Sequence, residues 1–268
     1  MFIFFTGQRP CFIYLIFAQL GIANIMLLFF RGIPLVILNW KNKYFLDDVG
    51  CKIVFYLQRV GRGVSICSTC LLSIYQIIII NSHSAKWANL RKNAPKYSLI
   101  FSAFCWVLNA VIYVFIPISV IGPVKQQNVT RGIDIGYCYW KYHLDYAAFI
   151  YVVRDVFFVC LMIFCCAYLV HFLHNHHQLV QHIHGAKITP SKNPEIKATK
   201  RIVLLVITFF SFYSINGILL LCNIYFLHSS VWLLDTSAFM TLCFPTFSPF
   251  LLTTSNNHIV RWCANFGR

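Results

Sequence analysis

The chain has 268 residues, of which 59% are hydrophobic and only 11% charged, and its formal net charge is +15. That balance leaves too little polar surface to cover a water-soluble globule of this size, so lipid is the solvent the sequence calls for. The positive charge does not by itself make so apolar a chain a nucleic-acid binder, and no nucleic acid is expected as a partner.

The first residues, Met1-Phe2-Ile3-Phe4-Phe5 followed by Thr6-Gly7-Gln8-Arg9-Pro10, read as the cytosolic end of a preceding helix and its short turn. A secretion signal would place its charge before the apolar run. The expectation is a chain that lacks one span. Six apolar stretches follow, near residues 12–30, 50–80, 97–118, 145–172, 201–226 and 231–254. Each reaches the roughly 20 residues needed to cross ~30 Å of hydrocarbon. Runs such as Ile202 to Phe212 show none of the alternation of barrel strands, and in lipid each segment must satisfy its own backbone. The expected fold is therefore all-α, an integral membrane helical bundle in one domain over residues 1–268. The longest polar stretch, about His174 to Arg201, is shorter than an independent folding unit.

Between these stretches the charges are sorted by side. Arg9, Lys86, Arg91, Lys92, Lys96, Lys187, Lys192, Lys197, Lys200, Arg201, Arg261 and Arg268 share one face of the membrane with a single acid, Glu195. On the other face Arg31, Lys41, Lys43, Lys52, Lys125, Arg131 and Lys141 stand against Asp47, Asp48, Asp134, Asp145 and Asp235. The positive-inside rule puts the first face, and both termini, in the cytosol.

Of the twelve cysteines, Cys67, Cys70, Cys105, Cys160, Cys165, Cys166, Cys222 and Cys243 fall within spans and behave as small hydrophobes. Cys67 and Cys70 form a CxxC, but without polar neighbours it lacks the surroundings of a zinc or redox site. Cys51 and Cys138 lie on the outer side, where the redox poise allows a bridge that would pin the loop between spans three and four over the helix tops. Asn128-Val129-Thr130 in that loop is a glycosylation sequon.

Charges inside spans are costly and mark function by default. Arg59 and Arg62 share a face of the second span, about 12 and 16 Å below Cys51, and Arg154 and Asp155 sit at similar depth. Two readings stay open: an ion pair of Asp155 with Arg59 or Arg62 that locks the bundle, or ligand-contacting groups in a pocket. His171, His174, His176, His177, His182 and His184 read as a solvated extension of the fourth span, not as a metal site. No GxSxG, HExxH, P-loop or GxGxxG motif supports an enzyme or a cofactor.

Several blocks in order carry a family likeness: Arg31-Gly32-Ile33-Pro34, Phe45 to Lys52, Val54-Phe55-Tyr56-Leu57, Arg59-Val60-Gly61-Arg62-Gly63-Val64-Ser65, Cys70-Leu71-Leu72-Ser73, Lys92-Asn93-Ala94-Pro95-Lys96, Cys105-Trp106-Val107-Leu108-Asn109, the Asn128 sequon and Phe244-Pro245-Thr246-Phe247-Ser248-Pro249-Phe250. In these the chain resembles the vomeronasal type-1 receptors, G protein-coupled receptors with seven spans that respond to pheromone-like cues. The likeness implies a seven-helix rhodopsin-like architecture with six spans present. It also implies a plasma-membrane location, a small-molecule pheromone-like ligand, a heterotrimeric G protein as partner, and a Cys51–Cys138 disulfide between the third receptor helix and the second extracellular loop. Phe244 to Phe250 occupies the place of the Asn-Pro-x-x-Tyr of the broader class, and Ser73-Ile74-Tyr75-Gln76 stands near the place of its acid-Arg-Tyr triplet. The missing first helix favours, as an alternative, a truncated product that does not signal. A small transporter or channel is a weaker reading, because no internal repeat is visible and Asp155 is the one acid within a span away from its ends.

Overall fold

The computed structural model describes residues 9–40, 45–81, 85–122, 132–141, 145–184, 194–225 and 231–253. The Met1–Phe5 segment, the Asn128 sequon, Arg261 and Arg268 lie outside the described residues. Among the described residues the α-helices are α1 (Arg9–Leu27), α2 (Ile33–Trp40), α3 (Asp48–Ile80), α4 (Ala85–Ile112), the short α5 (Ile116–Ser119), α6 (Asp145–His184), α7 (Pro194–Tyr225) and α8 (Val231–Thr253). Among the described residues, five helical stretches are long and apolar enough to cross a bilayer, from Leu15–Leu38 to Thr199–Leu219. α8 is a further apolar helix of 23 residues.

α1 and α2 are one rod. The sequence places the end of its first span near residue 30. The rod instead passes through a π-helical turn at Leu28–Gly32 and continues to Trp40, with helical backbone on both sides of the turn. Pro34 has no N–H to give the preceding turn, and one widened turn absorbs that loss without breaking the helix. A second proline is absorbed differently: Pro117 leaves the Tyr113 carbonyl without its usual donor, and the Ile116 N–H takes it in the tightened turn Tyr113–Phe115 that links α4 to α5.

α3 is the central post. Of its most apolar stretch 72% is buried, against 17–33% for the other four, whose outward residues, such as Phe157, Phe164, Ile100 and Ile118, are more than 60% exposed on faces suited to lipid. Asp47 caps its start by accepting from Gly50 N at 2.9 Å, and Asp48 pairs with Lys52 at 2.8 Å in the first turn. One core cluster packs the inner half around Leu20, Ile66, Leu205 and Phe244; another packs the outer half around Phe55, Val64, Tyr113 and Tyr137.

A small antiparallel sheet that the all-α reading does not include closes the outer end. Its strands β1 (Val120–Ile121), β2 (Gly132–Asp134) and β3 (Tyr139–Lys141) run in the order β1-β3-β2, with Val120 opposite Trp140 and Asp134 opposite Tyr139. The β2–β3 turn needs Gly136 at φ 90°, a conformation that L side chains rarely adopt, and a Cβ there would also meet Leu38 of α2 at 2.9 Å. Cys138 in this turn is bonded to Cys51 on α3, with Cα atoms 5.8 Å apart.

Candidate functional site

The four charged residues singled out within the spans gather in the outer half of the bundle, where Arg59, Arg62, Arg154 and Asp155 are all electrostatic neighbours of Tyr113. Their partners differ from the pairing expected from sequence. The Asp155 carboxylate takes its chain neighbour Arg154, not Arg59 or Arg62: Arg154 donates from Nε at 3.0 Å and from Nη2 to Asp155 Oδ1. Tyr213 of α7 donates its hydroxyl to Asp155 Oδ2 at 2.9 Å. The same guanidinium donates to Asn109 Oδ1 and to the Tyr113 hydroxyl, and lies 4.9 Å from the Tyr113 ring centre. Arg154 thereby ties α6 to α4, and Asp155 ties α6 to α7.

Local sequence explains why this fits. Asn109 is anchored in turn by donating to Cys105 O at 2.7 Å, one helical turn back. Gly63 faces both groups across α3, and any Cβ at that position would overlap Asn109 Oδ1 and the Arg154 guanidinium. The glycine after Arg62 is thus the space in which the network sits. Asn109, Tyr113 and Tyr213 carry no charge, so hydropathy does not flag them. The signal in sequence is a lone amide in the apolar run Phe101 to Ile112.

Arg59 and Arg62 are held more loosely. Arg59 lies 5.6 Å from the ring centre of Trp140 on β3, and Arg62 lies 5.0 Å from that of Tyr213. Such contacts contribute about 0.5–2 kcal/mol, and Arg62 also hydrogen-bonds the Tyr213 side chain. Among the described residues neither arginine has a carboxylate within 4.0 Å, and Arg59 Nε is buried without a hydrogen-bond partner. Arg31, in the π turn, reaches Tyr137 at 3.4 Å and leaves its own Nε unpartnered.

Below Arg62 is a cavity of about 40 Å³ between the first rod, α3, α7 and α8, lined among others by Ser65, Tyr213, Asn216 and Thr241. Arg59, Arg154 and Asp155 do not line it. Under it Asn24 joins three helices, donating to Ser248 at 2.6 Å and accepting from Ser65 at 2.9 Å. Pro249 leaves the Pro245 carbonyl without a backbone donor, and the Ser248 hydroxyl reaches it at 3.4 Å.

At the opposite end of the bundle two hydrogen bonds between helices join neutral groups. Thr199 of α7 donates to Gln76 of α3 at 3.5 Å, and Tyr168 of α6 donates to Asn81 at 2.8 Å. On α6, His171 and His174 are exposed and hydrogen-bonded to Asn175 and Gln178, each at 3.0 Å. The other four histidines singled out are not among the side chains described. Among the described residues no group of three or more His, Cys, Asp or Glu side chains forms a metal site.

Comparison with known proteins places these features. Residues 1–265 match the sequence family described as the vomeronasal organ pheromone receptor family. Vomeronasal type-1 receptor 4 of Homo sapiens is 37% identical over 262 residues, covering 96% of this chain and 87% of that protein. Vomeronasal type-1 receptor 1 of Homo sapiens is 33% identical over 264 residues, covering 97% and 75%. Olfactory receptor class A-like protein 1 of Danio rerio is 24% identical over 249 residues, covering 91% and 78%.

Proposed function

The chain belongs to the vomeronasal organ pheromone receptor family, whose members are multi-pass membrane receptors and not enzymes, and from that membership we propose that residues 1–268 act as one transmembrane domain that binds a pheromone-like small molecule and signals to a heterotrimeric G protein. The ligand enters from the outer face, beside the Cys51–Cys138 staple, and meets Arg59 and Arg62, with Arg154 and Asp155 forming the wall behind them. Asn128 is the glycosylation acceptor on the same face. The observation that carries this reading is the contrast between two pairs of charges at one level. Arg154 and Asp155 satisfy each other, while Arg59 keeps a buried Nε without a partner and Arg62 is held by the neutral Tyr213 and by no described carboxylate.

Signalling requires two arrangements of the cytosolic helix ends, one of which the ligand binds more tightly. The Gln76–Thr199 hydrogen bond is long at 3.5 Å and joins uncharged groups, so this link between α3 and α7 yields readily. Prolines at 245 and 249 within α8 offer a place to bend.

The test is nucleotide exchange on a co-expressed heterotrimer, read while a panel of volatile and amphiphilic small molecules is applied to cells whose surface receptor is labelled. A panel member should drive exchange in the native chain, and Arg62→Gln should weaken that response at least tenfold at equal surface level. Surface-exposed, folded chain that drives no exchange with any member would sink the reading, as would an Arg62→Gln receptor with an unchanged dose response.

A further inference from the structure

The cavity below Arg62 is half open, and its lining sorts into two kinds of surface. Leu27, Phe209, Phe212, Met240, Phe244 and Pro245 make it almost wholly apolar. The polar groups on it, apart from Arg62 and Tyr213, meet it as acceptors. Ser65 gives its proton to Asn24 and Thr241 gives its own to Ser237 O at 2.9 Å, so each hydroxyl keeps only lone pairs for the space. Asn216 is 3% exposed, and its Oδ1 is buried with no hydrogen-bond partner. A buried acceptor left unpaired costs free energy that a donor brought into the space recovers.

The two remaining polar groups are engaged with each other. The Arg62 guanidinium lies 5.0 Å from the Tyr213 ring centre and hydrogen-bonds that side chain, and Tyr213 spends its own proton on Asp155 Oδ2 at 2.9 Å. The chemistry of an occupant follows by elimination. A protonated amine is repelled by the guanidinium on the lining, and an ether, ketone or ester brings acceptors to acceptors. A water molecule offers the right donor but leaves the apolar walls without contacts. A neutral hydroxyl on a carbon skeleton matches both kinds of surface. At about 40 Å³ the space holds roughly three water-sized spheres, whereas ligand pockets run to about 300–1,000 Å³, so it takes the end of a molecule and not the whole of one.

We infer that this cavity is the subsite for the hydroxyl-bearing end of the ligand, an apolar neutral alcohol whose O–H donates to Asn216 Oδ1 while its first carbons lie against Leu27 and Phe244. The inference rests on the receptor reading above and adds to it the class of the ligand and the residue that selects it. Arg62, which lines the same space, is where this subsite meets the arginine pair. Asn216 is then the residue that decides specificity, because it distinguishes a molecule with one polar proton from an isomer without it.

The experiment uses the full chain in detergent micelles, unfolded by heat, with a thiol-reactive fluorophore reporting exposure of the buried Cys67, Cys70 and Cys105. The probes are n-hexanol and its isomer methyl pentyl ether, which have the same atoms and differ in the donor, with hexylammonium and hexanoate as charged alternatives. The native chain should melt roughly 3 °C or more higher in n-hexanol than in the ether at equal concentration, as for any ligand that binds only the folded state. Asn216→Leu should melt alike in the two, and comparing the chains cancels what the probes do to the micelle. Should that variant fail to fold, Thr241→Leu, which fills the space and keeps the amide, should lose the preference instead. Equal melting of the native chain in the two isomers overturns the proposal. So does a preference that survives the substitution, or stabilisation by hexylammonium or hexanoate as large as that by n-hexanol. The readout needs no G protein: a chain that prefers n-hexanol yet drives no nucleotide exchange sinks the receptor reading alone, and one that responds to other panel members without this preference sinks the subsite alone.

Discussion

The two halves of α3 both carry polar residues through lipid, and they satisfy them by opposite means. In the inner half Ser68 donates to Val64 O at 2.7 Å, Thr69 to Ser65 O at 2.9 Å and Ser73 to Thr69 O at 3.0 Å, each closing on the helix that carries it. In the outer half the side chains are too long and too charged to be satisfied that way. Arg59 and Arg62 lie over aromatic rings of other elements, and Gln58 Oε1 and Arg59 Nε are buried without hydrogen-bond partners. A polar residue in a span is therefore not by itself a sign of function. What distinguishes the outer half is that its groups depend on neighbours, so a change in a neighbour, or a bound molecule, is felt there.

Substitutions along and beside this helix put that contrast at risk. The largest effect is expected from Arg154→Ala, which removes the donors to Asn109 and Tyr113 and strands the Asp155 carboxylate, at a cost of about 3–5 kcal/mol; thermal unfolding in detergent and surface staining both read it. Adding Asp155→Asn should recover part of that loss, because no lone charge is then left behind. Next comes Cys51→Ser, which opens the staple between residues 87 apart and should cost about 2–4 kcal/mol in the same assay. Gly63→Ala forces a methyl group into Asn109 and the Arg154 guanidinium and should cost about 1–3 kcal/mol, with hydrogen exchange rising in α4 and α6. The smallest change is expected from Ser73→Ala, within about 0.5 kcal/mol, since its hydroxyl serves only a carbonyl of its own helix. If Ser73→Ala proved as damaging as Arg154→Ala, the distinction between the halves would fail.

Much of the bundle is legible without coordinates. Length and hydropathy identify the lipid-crossing helices, because both depend on composition averaged over a turn or more. The rotation of one helix against another does not. That is why sequence points Asp155 at an arginine of α3, whereas its partner stands beside it on α6, where helix spacing would not place it. The end of the first span near residue 30 is misplaced for a related reason: Pro34 removes a backbone donor, and only the geometry of a widened turn shows the helix continuing through it. Residues 120–141 are too short and too mixed to announce a sheet. Asn109 stands inside a block that carries the family likeness, yet its role depends on Gly63 and Arg154 from distant parts of the chain.

The π turn at Leu28–Gly32 also sets the phase of everything after it. One extra residue in a turn rotates the following helix by about 100° relative to an unbroken one. Leu38 meets the Gly136 turn, and so the stapled lid, only because of that offset. The first rod therefore keeps two compass bearings on one axis, so its extracellular rim can be re-aimed by gaining or losing a single residue while its buried half stays in step.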